Sequence, residues 1–370
     1  MLFLLSCKES ELDKSDFEVE QLEFSDFFKT EFEIDLTQQK LKYKTIPSAL
    51  WLKGKFIHND STYYALADVF PGYLYFYNAL SKTITKEIKL PKADNCQYPY
   101  YINVASFDSI IYLDKFNQSI VIADTSGIKR KYYPNFSKRF HEYMIYNSSF
   151  SRSELVEGKL VMNPWIAYGK NREKFYVNYD SLMDLRPMIS LYDFAKDSII
   201  EIPVKPYLKR NTGKSRIYDA GCFYTFNAPK KELILFDMAS DTLLIYNILT
   251  KKVKRDYIKN SSISLQPIIV TNGGDVGTFL KEIENLVSSR MYYIPQKDYY
   301  VRTLKYNEKK GELVNERLLI QIIDTKFNVT TEFFAPKEYW ASTMSLPDGI
   351  YLLKADDVNQ KLSYAKFKYY

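Results

Sequence analysis

The chain carries two histidines, His58 and His141, and three cysteines, Cys7, Cys96 and Cys222. Those counts bound the chemistry at once. A His-rich metal site, a zinc ribbon and a disulfide-dense scaffold are excluded, so neither a metal centre nor a cofactor is expected. A Ser–His–Asp triad can run only through one of the two histidines, and neither sits in a nucleophile context. His58 lies in Phe56-Ile57-His58-Asn59-Asp60, the sequence of a turn or strand end. There is no Gly-x-Ser-x-Gly elbow and no EF-hand spacing of aspartates. Asn211-Thr212-Gly213-Lys214-Ser215 ends like a phosphate-binding loop, but the position that must be Gly is Leu208, so it reads as a surface turn. Cys96 and Cys222 have apolar or aromatic neighbours and no His or Arg nearby to lower a thiol pKa, so neither reads as a nucleophile.

Two kinds of chemistry survive. Acidic residues number 45, so a carboxylate pair for a hydrolase or lyase acting on a polysaccharide or cell-wall fragment is the alternative activity. The aromatic residues favour binding instead. Trp51, Trp165 and Trp340, with Tyr100, Tyr101 and Arg172, form the candidate ligand-binding set. Flat rings stack on the apolar faces of sugars or extended peptides, and the donors fix orientation. The competing role for each Trp is to wedge into the core. The balance favours a binding module over an enzyme.

The elements that must position these residues are strands. Aromatics make up 16% of the chain, led by 33 Tyr, and Tyr suits a pleated, half-buried surface. One unit recurs: an apolar strand, an Asp or Asn turn, and a more polar strand. It is seen at Tyr73 to Leu90, Ser119 to Tyr133, Met188 to Ile202, Leu243 to Tyr257 and Leu319 to Phe334, with a further apolar strand near 366. A preceding strand is visible at Tyr63 to Asp68, Ile110 to Asp114, Glu232 to Asp237, Tyr299 to Tyr306 and Ile350 to Lys354. Four strands per unit and six units predict an all-β fold, a six-bladed β-propeller with four-stranded antiparallel blades. The last unit lacks an outer strand. An N-terminal strand, Lys29 to Leu36 or Lys40 to Thr45, would supply it and close the ring. Two β-sandwiches are the alternative, and they do not account for the repeat. One short inserted helix is expected near 277–290, with Phe279, Leu280, Ile283, Leu286 and Val287 on one face, and a helical or irregular stretch at Phe136 to Tyr146. Each Trp falls near the start of a unit, where the innermost strands and face loops of such a ring lie.

The N-terminus reads separately. Leu4-Leu5-Ser6-Cys7 resembles a bacterial lipobox, in which the Cys is lipidated and becomes the new N-terminus. The match departs upstream: there is no basic region, and the apolar run is shorter than the usual ~7–15 residues. Residues 8–28 are polar and acidic, as a tether is, and the tract after Cys7 resembles the surface-export signal of Bacteroidota lipoproteins. The division expected is a signal-peptide remnant over 1–6, a lipidated flexible tether over 7–28 and a single propeller over 29–370. With Cys7 lipidated, Cys96 and Cys222 remain, and their pairing is open.

Taken together, the lipobox, the acidic tether, the repeated strand–turn–strand units and the Lys- and Tyr-rich composition resemble the TolB-like six-bladed propeller lipoproteins of Bacteroidota, over roughly residues 30–370. The resemblance implies a lipid-anchored protein of the cell envelope, an outer-membrane lipoprotein that faces the surface. It says little about chemistry. The partner expected is a glycan or peptide ligand or an envelope protein, with the membrane touched by the N-terminal lipid only, and the protein is expected to be a monomer. Nucleic acid is not an expected partner, because most of the 51 basic residues are Lys scattered among acids and not clustered Arg.

Overall fold

A computed structural model describes residues 23–68, 72–90, 100–114, 119–134, 143–145, 155–162, 164–166, 189–202, 204, 215–217, 222–237, 241–263, 269–271, 288–310, 313–346 and 348–368. A single helical turn, Phe24–Phe27, leads into β1 (Phe28–Asp35). Blade 1 is β2 (Leu50–His58), β3 (Ser61–Asp68), β4 (Tyr73–Asn78) and β5 (Thr83–Lys89). Blade 2 is β6 (Tyr100–Ser106), β7 (Ser109–Asp114), β8 (Ser119–Asp124) and β9 (Gly127–Tyr132). After β10 (Tyr143–Ile145), blade 3 opens with β11 (Leu155–Val156) and β12 (Lys159–Met162). The chain then makes β13 (Pro164–Ile166), which pairs with β10 in a separate ribbon, before β14 (Ser190–Asp193) and β15 (Ser198–Glu201) complete the blade. Next come β16 (Ser215–Ile217) and blade 4, made of β17 (Cys222–Asn227), β18 (Glu232–Asp237), β19 (Thr242–Asn247) and β20 (Val253–Tyr257); β21 (Ile269–Thr271) returns to pair with β16. Blade 5 is β22 (Ser288–Ile294), β23 (Tyr299–Lys310), β24 (Leu313–Ile323) and β25 (Val329–Phe334). Blade 6 is β26 (Tyr339–Leu346), β27 (Gly349–Asp356) and β28 (Lys361–Phe367), with β1 as its fourth strand.

The burial of each strand follows its place in the ring. A third strand has a neighbouring blade on both faces, so β4, β8 and β19 are near-continuous apolar runs and almost wholly buried. A fourth strand faces solvent, so β5, β9 and β20 are polar and exposed. The turn between third and fourth strands is held by one recurring device. The Asn or Asp that ends the third strand, or directly follows it, accepts hydrogen bonds from the backbone N–H groups of the turn, an Asx turn. Asn78 accepts from Leu80 at 2.9 Å, Asp124 from Ser126 at 2.7 Å, Asp193 from Ala195 at 3.0 Å, Asn247 from Thr250 at 2.9 Å and Asp324 from Lys326 at 2.8 Å. The repeated Asp/Asn read in the sequence is therefore a local hydrogen-bonding instruction.

The ring closes through Phe28–Asp35, the first of the two strands expected; residues 40–45 form no strand. β1 runs antiparallel to β28, with Phe28 opposite Phe367 and Asp35 opposite Lys361. The core is a set of interblade layers. Phe32, Ile34, Leu52, Tyr64, Leu353 and Tyr364 belong to the layer between blades 6 and 1. Residues 24–28, assigned to the tether from sequence, pack into the layer between blades 5 and 6: Phe24 stacks on Phe28 at 4.8 Å and Phe27 on Phe333 at 4.5 Å. The helix expected near 277–290 falls outside the described residues up to 287, and Ser288–Ile294 is strand β22. Most of the stretch 136–146 is also outside them, but Tyr143–Ile145 is a strand paired with β13, not a helix. The aromatic Tyr143 and the β-branched Ile145 favour extended backbone there.

Blades 1 and 2 meet so closely that one position must be glycine. A Cβ on Gly54 of β2 would lie 2.0 Å from the Val104 carbonyl oxygen on β6. Backbone on both sides cannot yield as a side-chain tip can. Gly54→Ala is therefore expected to destabilise the fold by ~1–3 kcal/mol or more, read as a lowered midpoint in urea unfolding.

Candidate functional site at one mouth of the channel

The first strands line the axis of the ring. β2 touches β6 on one side and β26 on the other. All six blades wind in the same order from first to fourth strand, so the first strands run the same way and begin at the same mouth of the channel. Sequence residues expected to bind ligand gather at those beginnings. Trp51 is the second residue of β2, Tyr100 and Tyr101 open β6, and Trp340 is the second residue of β26. These are three adjacent blades. Trp165 is elsewhere, on β13 of the ribbon outside the blades, opposite Met144. Arg172 and Cys7 lie outside the described residues, as do Cys96 and His141. His58 is at the exposed far end of β2, edge-on to Phe107 at 5.0 Å.

The mouth also holds cations that no sequence motif marks. β2 pairs with β3 through Leu52–Leu66 and Gly54–Ala65, leaving Lys53 as the extra residue of a β-bulge. A bulge bends its strand and re-aims the extra side chain. Lys53 is half-buried, and its ammonium sits 5.7 Å from the centroid of the Trp51 ring. Burial and the neighbouring Arg290 charge push its pKa down to about 8. Arg290 is the third residue of β22, on the first strand of blade 5. Opposite Ser288 is Lys305, so Arg290 and Lys305 are diagonal neighbours on one face of blade 5. Burial and the Arg290 charge lower the Lys305 pKa as well. The signal available in the sequence was Trp51-Leu52-Lys53-Gly54-Lys55, a strand with lysines on an innermost position.

A second charged cluster ties blade 6 to blade 1. The β1–β28 register slips between Thr30 and Phe32, so Glu31 is also a bulged residue. Lys55 Nζ donates to Glu31 Oε1 at 2.6 Å and to Asp348 Oδ2 at 2.8 Å. Lys366 donates to the same Asp348 oxygen at 2.9 Å, Tyr351 donates to it at 2.8 Å, and Tyr64 donates to Glu31 at 2.9 Å. Burial raises the Asp348 pKa, but hydrogen bonds from Lys366, Lys55 and Tyr351 outweigh it and hold the carboxyl below its ordinary value. Burial likewise raises that of Glu31, and the Lys55 and Tyr64 hydrogen bonds reverse the direction. A general acid needs a raised pKa, so this pair is built as a clasp and not as an acid–base couple. A carboxylate whose folded pKa is depressed stabilises the fold above its unfolded value and loses that contribution as pH falls through the folded value. The stability gap between the wild type and Asp348→Asn is thus expected to be full at pH 7 and to shrink below about pH 3.8, the ordinary Asp value, in urea unfolding at stepped pH.

The fold is a six-bladed β-propeller in which Trp51, Tyr100, Tyr101 and Trp340 occupy the starts of three adjacent first strands. No protein-family profile matches the sequence, and no curated protein matches it. The fold is similar to that of a member of the DUF4221 family from Bacteroides vulgatus, at TM-score 0.67 and 15% identity, covering 92% of this chain and 97% of the other. At that identity the likeness is one of fold. Looser likenesses join it to a regucalcin, a calcium-binding protein from Agrobacterium tumefaciens (TM-score 0.46, 10% identity, 87% and 90% coverage), and to a streptogramin B lyase (0.42, 10%, 92% and 98%). Neither carries an argument about function.

Proposed function

We propose that the protein is a lipid-anchored binding module of the bacterial envelope, held at the outer membrane through Cys7, whose channel mouth takes a glycan. The observation that supports this most is the gathering of Trp51, Tyr100, Tyr101 and Trp340 at the starts of three adjacent first strands. A rigid ring fixes those starts relative to one another, and the loops that join blades vary freely around them. Aromatic rings with nearby donors suit saccharides. The lipobox and the acidic tract after it support the anchor, as does the resemblance to TolB-like lipoproteins.

The binding reading is tested on a glycan and peptidoglycan-fragment array, with Trp51→Ala beside the wild type and both checked for the same circular dichroism. Retention of a glycan by the wild type and its loss in the variant is the expected result; no retained glycan overturns the reading. The anchor is tested by fractionation, in which Cys7→Ala moves the protein from the membrane to the soluble fraction.

A further inference from the structure

We propose that the glycan is an acidic polymer, and that beyond the mouth it lies along a basic strap over residues 39–46, its carboxylate or sulfate groups against Lys40, Lys42 and Lys44. This deepens the binding reading above and rests on it. The strap belongs to the connection from β1 to β2 and runs over blade 1 without forming a strand. It is pinned along its length. Gln39 donates to the Lys82 carbonyl at 3.4 Å and accepts from Ile84 N–H at 2.8 Å. Glu87 on β5 accepts from Lys42 N–H at 2.9 Å and from Tyr43 N–H at 3.2 Å, one through each carboxylate oxygen. Tyr75 donates to the Tyr43 carbonyl at 3.1 Å, and the Thr45 hydroxyl donates to Asp68 at 2.5 Å. Inward and outward side chains alternate on this fixed backbone. Leu41 and Tyr43 pack on the layer between blades 6 and 1, while Lys40, Lys42, Lys44 and Ile46 stand exposed. Alternate residues of a chain are at most ~7 Å apart, so the three lysines leave the strap as a short row. Tyr43 stacks on Tyr73 at 3.9 Å between ring centroids. The Lys42 ammonium lies 5.3 Å from the Tyr43 ring and the Lys89 ammonium 5.8 Å from the Tyr73 ring, which adds a fourth cation beside the row. Among the described residues none of these four lysines is in an ion pair.

The row leads to the mouth. Through the turn Pro47–Ala49 the strap becomes β2, whose second residue is Trp51, and Tyr43, Tyr73 and Trp51 pack on the same interblade layer. A chain held at Trp51 can therefore continue onto the strap. Lysines of one sign in a row match a linear polyanion, which meets them at successive positions with charge-assisted hydrogen bonds. A neutral chain gains nothing there. Each exposed charge contact is weak, but several on one ligand act together, so affinity should grow with chain length. A flat anionic surface such as a membrane fits less well. The cleft at the start of the strap is lined by Glu31, Glu33 and Asp35, whose charges such a surface would meet and a narrow chain would pass beside. The aromatic residues at the starts of β2, β6 and β26 favour a saccharide as the carrier.

The test is calorimetric titration of the full chain carrying Cys7→Ala, so that no lipid contributes. The probes are decagalacturonate, a chondroitin sulfate decasaccharide, digalacturonate and neutral maltodecaose, with sedimentation on phosphatidylglycerol vesicles alongside. Each is repeated with the triple variant Lys40→Ala, Lys42→Ala, Lys44→Ala. The control is a second triple variant, Lys252→Ala, Lys254→Ala, Lys326→Ala, which removes the same charge from the outer rim of blades 4 and 5. At least one acidic decasaccharide is expected to bind about tenfold or more tightly than digalacturonate and than maltodecaose, and the stronger of the two identifies carboxylate or sulfate. The strap variant is expected to lose that advantage while keeping the circular dichroism of the parent chain, and the control to retain it. Equal binding of acidic and neutral decasaccharides, no gain with chain length, an unchanged strap variant, or an equal loss in the control overturns the strap site and leaves the glycan reading standing. Vesicle binding that the strap variant abolishes, without preference for an acidic decasaccharide, overturns the saccharide in favour of a lipid surface. No glycan retained on the array or in the titrations overturns both readings.

Discussion

A chain that starts after Asp35 is expected to lose cooperative folding. Removing β1 takes away the fourth strand of blade 6 and leaves the β28 edge unpaired along its whole length. It also strips Phe28, Phe32 and Ile34 from two interblade layers. Each large apolar side chain is worth ~1.5–3 kcal/mol when buried, so these three alone approach the ~5–15 kcal/mol that holds a typical domain together. The open edge would in addition invite strand pairing between copies. A point variant reports the same seam without deletion. Phe32 stacks on Tyr64 at 3.9 Å and lies 5.0 Å from Tyr364, ring centroid to centroid. Tyr364 in turn donates to the Leu50 carbonyl at 2.8 Å and accepts from Leu52 N–H at 3.1 Å on the innermost strand of blade 1. Phe32→Ala is expected to cost ~3–5 kcal/mol. Urea unfolding followed by tyrosine fluorescence measures it, and a shift under about 1 kcal/mol would show that β1 is an ornament of the ring and not its closure.

The second large effect sits between blades 4 and 5. Arg302 on β23 is 1% exposed, and its Nη1 donates to Asp241 Oδ1 at 2.7 Å, just before β19. The bond is extended by a polar chain: Gln321 on β24 donates to Glu332 at 2.6 Å and to Ser261 at 2.7 Å, and its Oε1 lies 3.4 Å from Arg302 Nη1. Taking one partner out of a buried pair leaves the other charge uncompensated. Arg302→Leu is therefore expected to cost ~3–5 kcal/mol. The double variant Arg302→Leu with Asp241→Leu is expected to recover a large part of that, because a buried ion pair replaced by apolar groups is often close to neutral. A thermodynamic cycle from the three unfolding midpoints checks it; losses that simply add would show that the two residues act separately.

Much of the architecture was legible because its signals are local. An Asx turn is written in the residue that makes it, so Asn78, Asp124, Asp193, Asn247 and Asp324 announced five hairpins. A third strand buried on both faces reads as an apolar run, and β4, β8 and β19 fall where the alternation placed them. Closure by an N-terminal strand followed from counting: blade 6 had three strands, and an edge needs a partner.

What was not legible depends on non-local geometry. A bulge changes parity by one residue, and nothing in Glu-Phe-Glu or Leu-Lys-Gly around Glu31 and Lys53 marks which residue is extra. That the Arg290 charge acts on Lys53, over two hundred positions away, needs the ring to be closed first. The ribbons β10–β13 and β16–β21 are three residues a side, too short for period-two alternation to rise above chance. This is also why Trp165 was grouped with Trp51 and Trp340: all three open a unit in the sequence, but only two of them open a first strand. Arg302 was visible as a lone charge in an apolar strand, Tyr299-Tyr300-Val301-Arg302-Thr303-Leu304, and only the fold shows that Asp241 answers it.

The central claim, that ligand sits at the mouth where the first strands begin, is tested most directly by lysine footprinting. The full chain is acetylated at pH 8 with and without the best-binding oligosaccharide, and labelled peptides are mapped by mass spectrometry. The account predicts that ligand protects Lys53 and Lys305 and leaves Lys254 and Lys326, on the outer rim of blades 4 and 5, as reactive as before. Protection confined to the outer strands, with Lys53 unchanged, would contradict it.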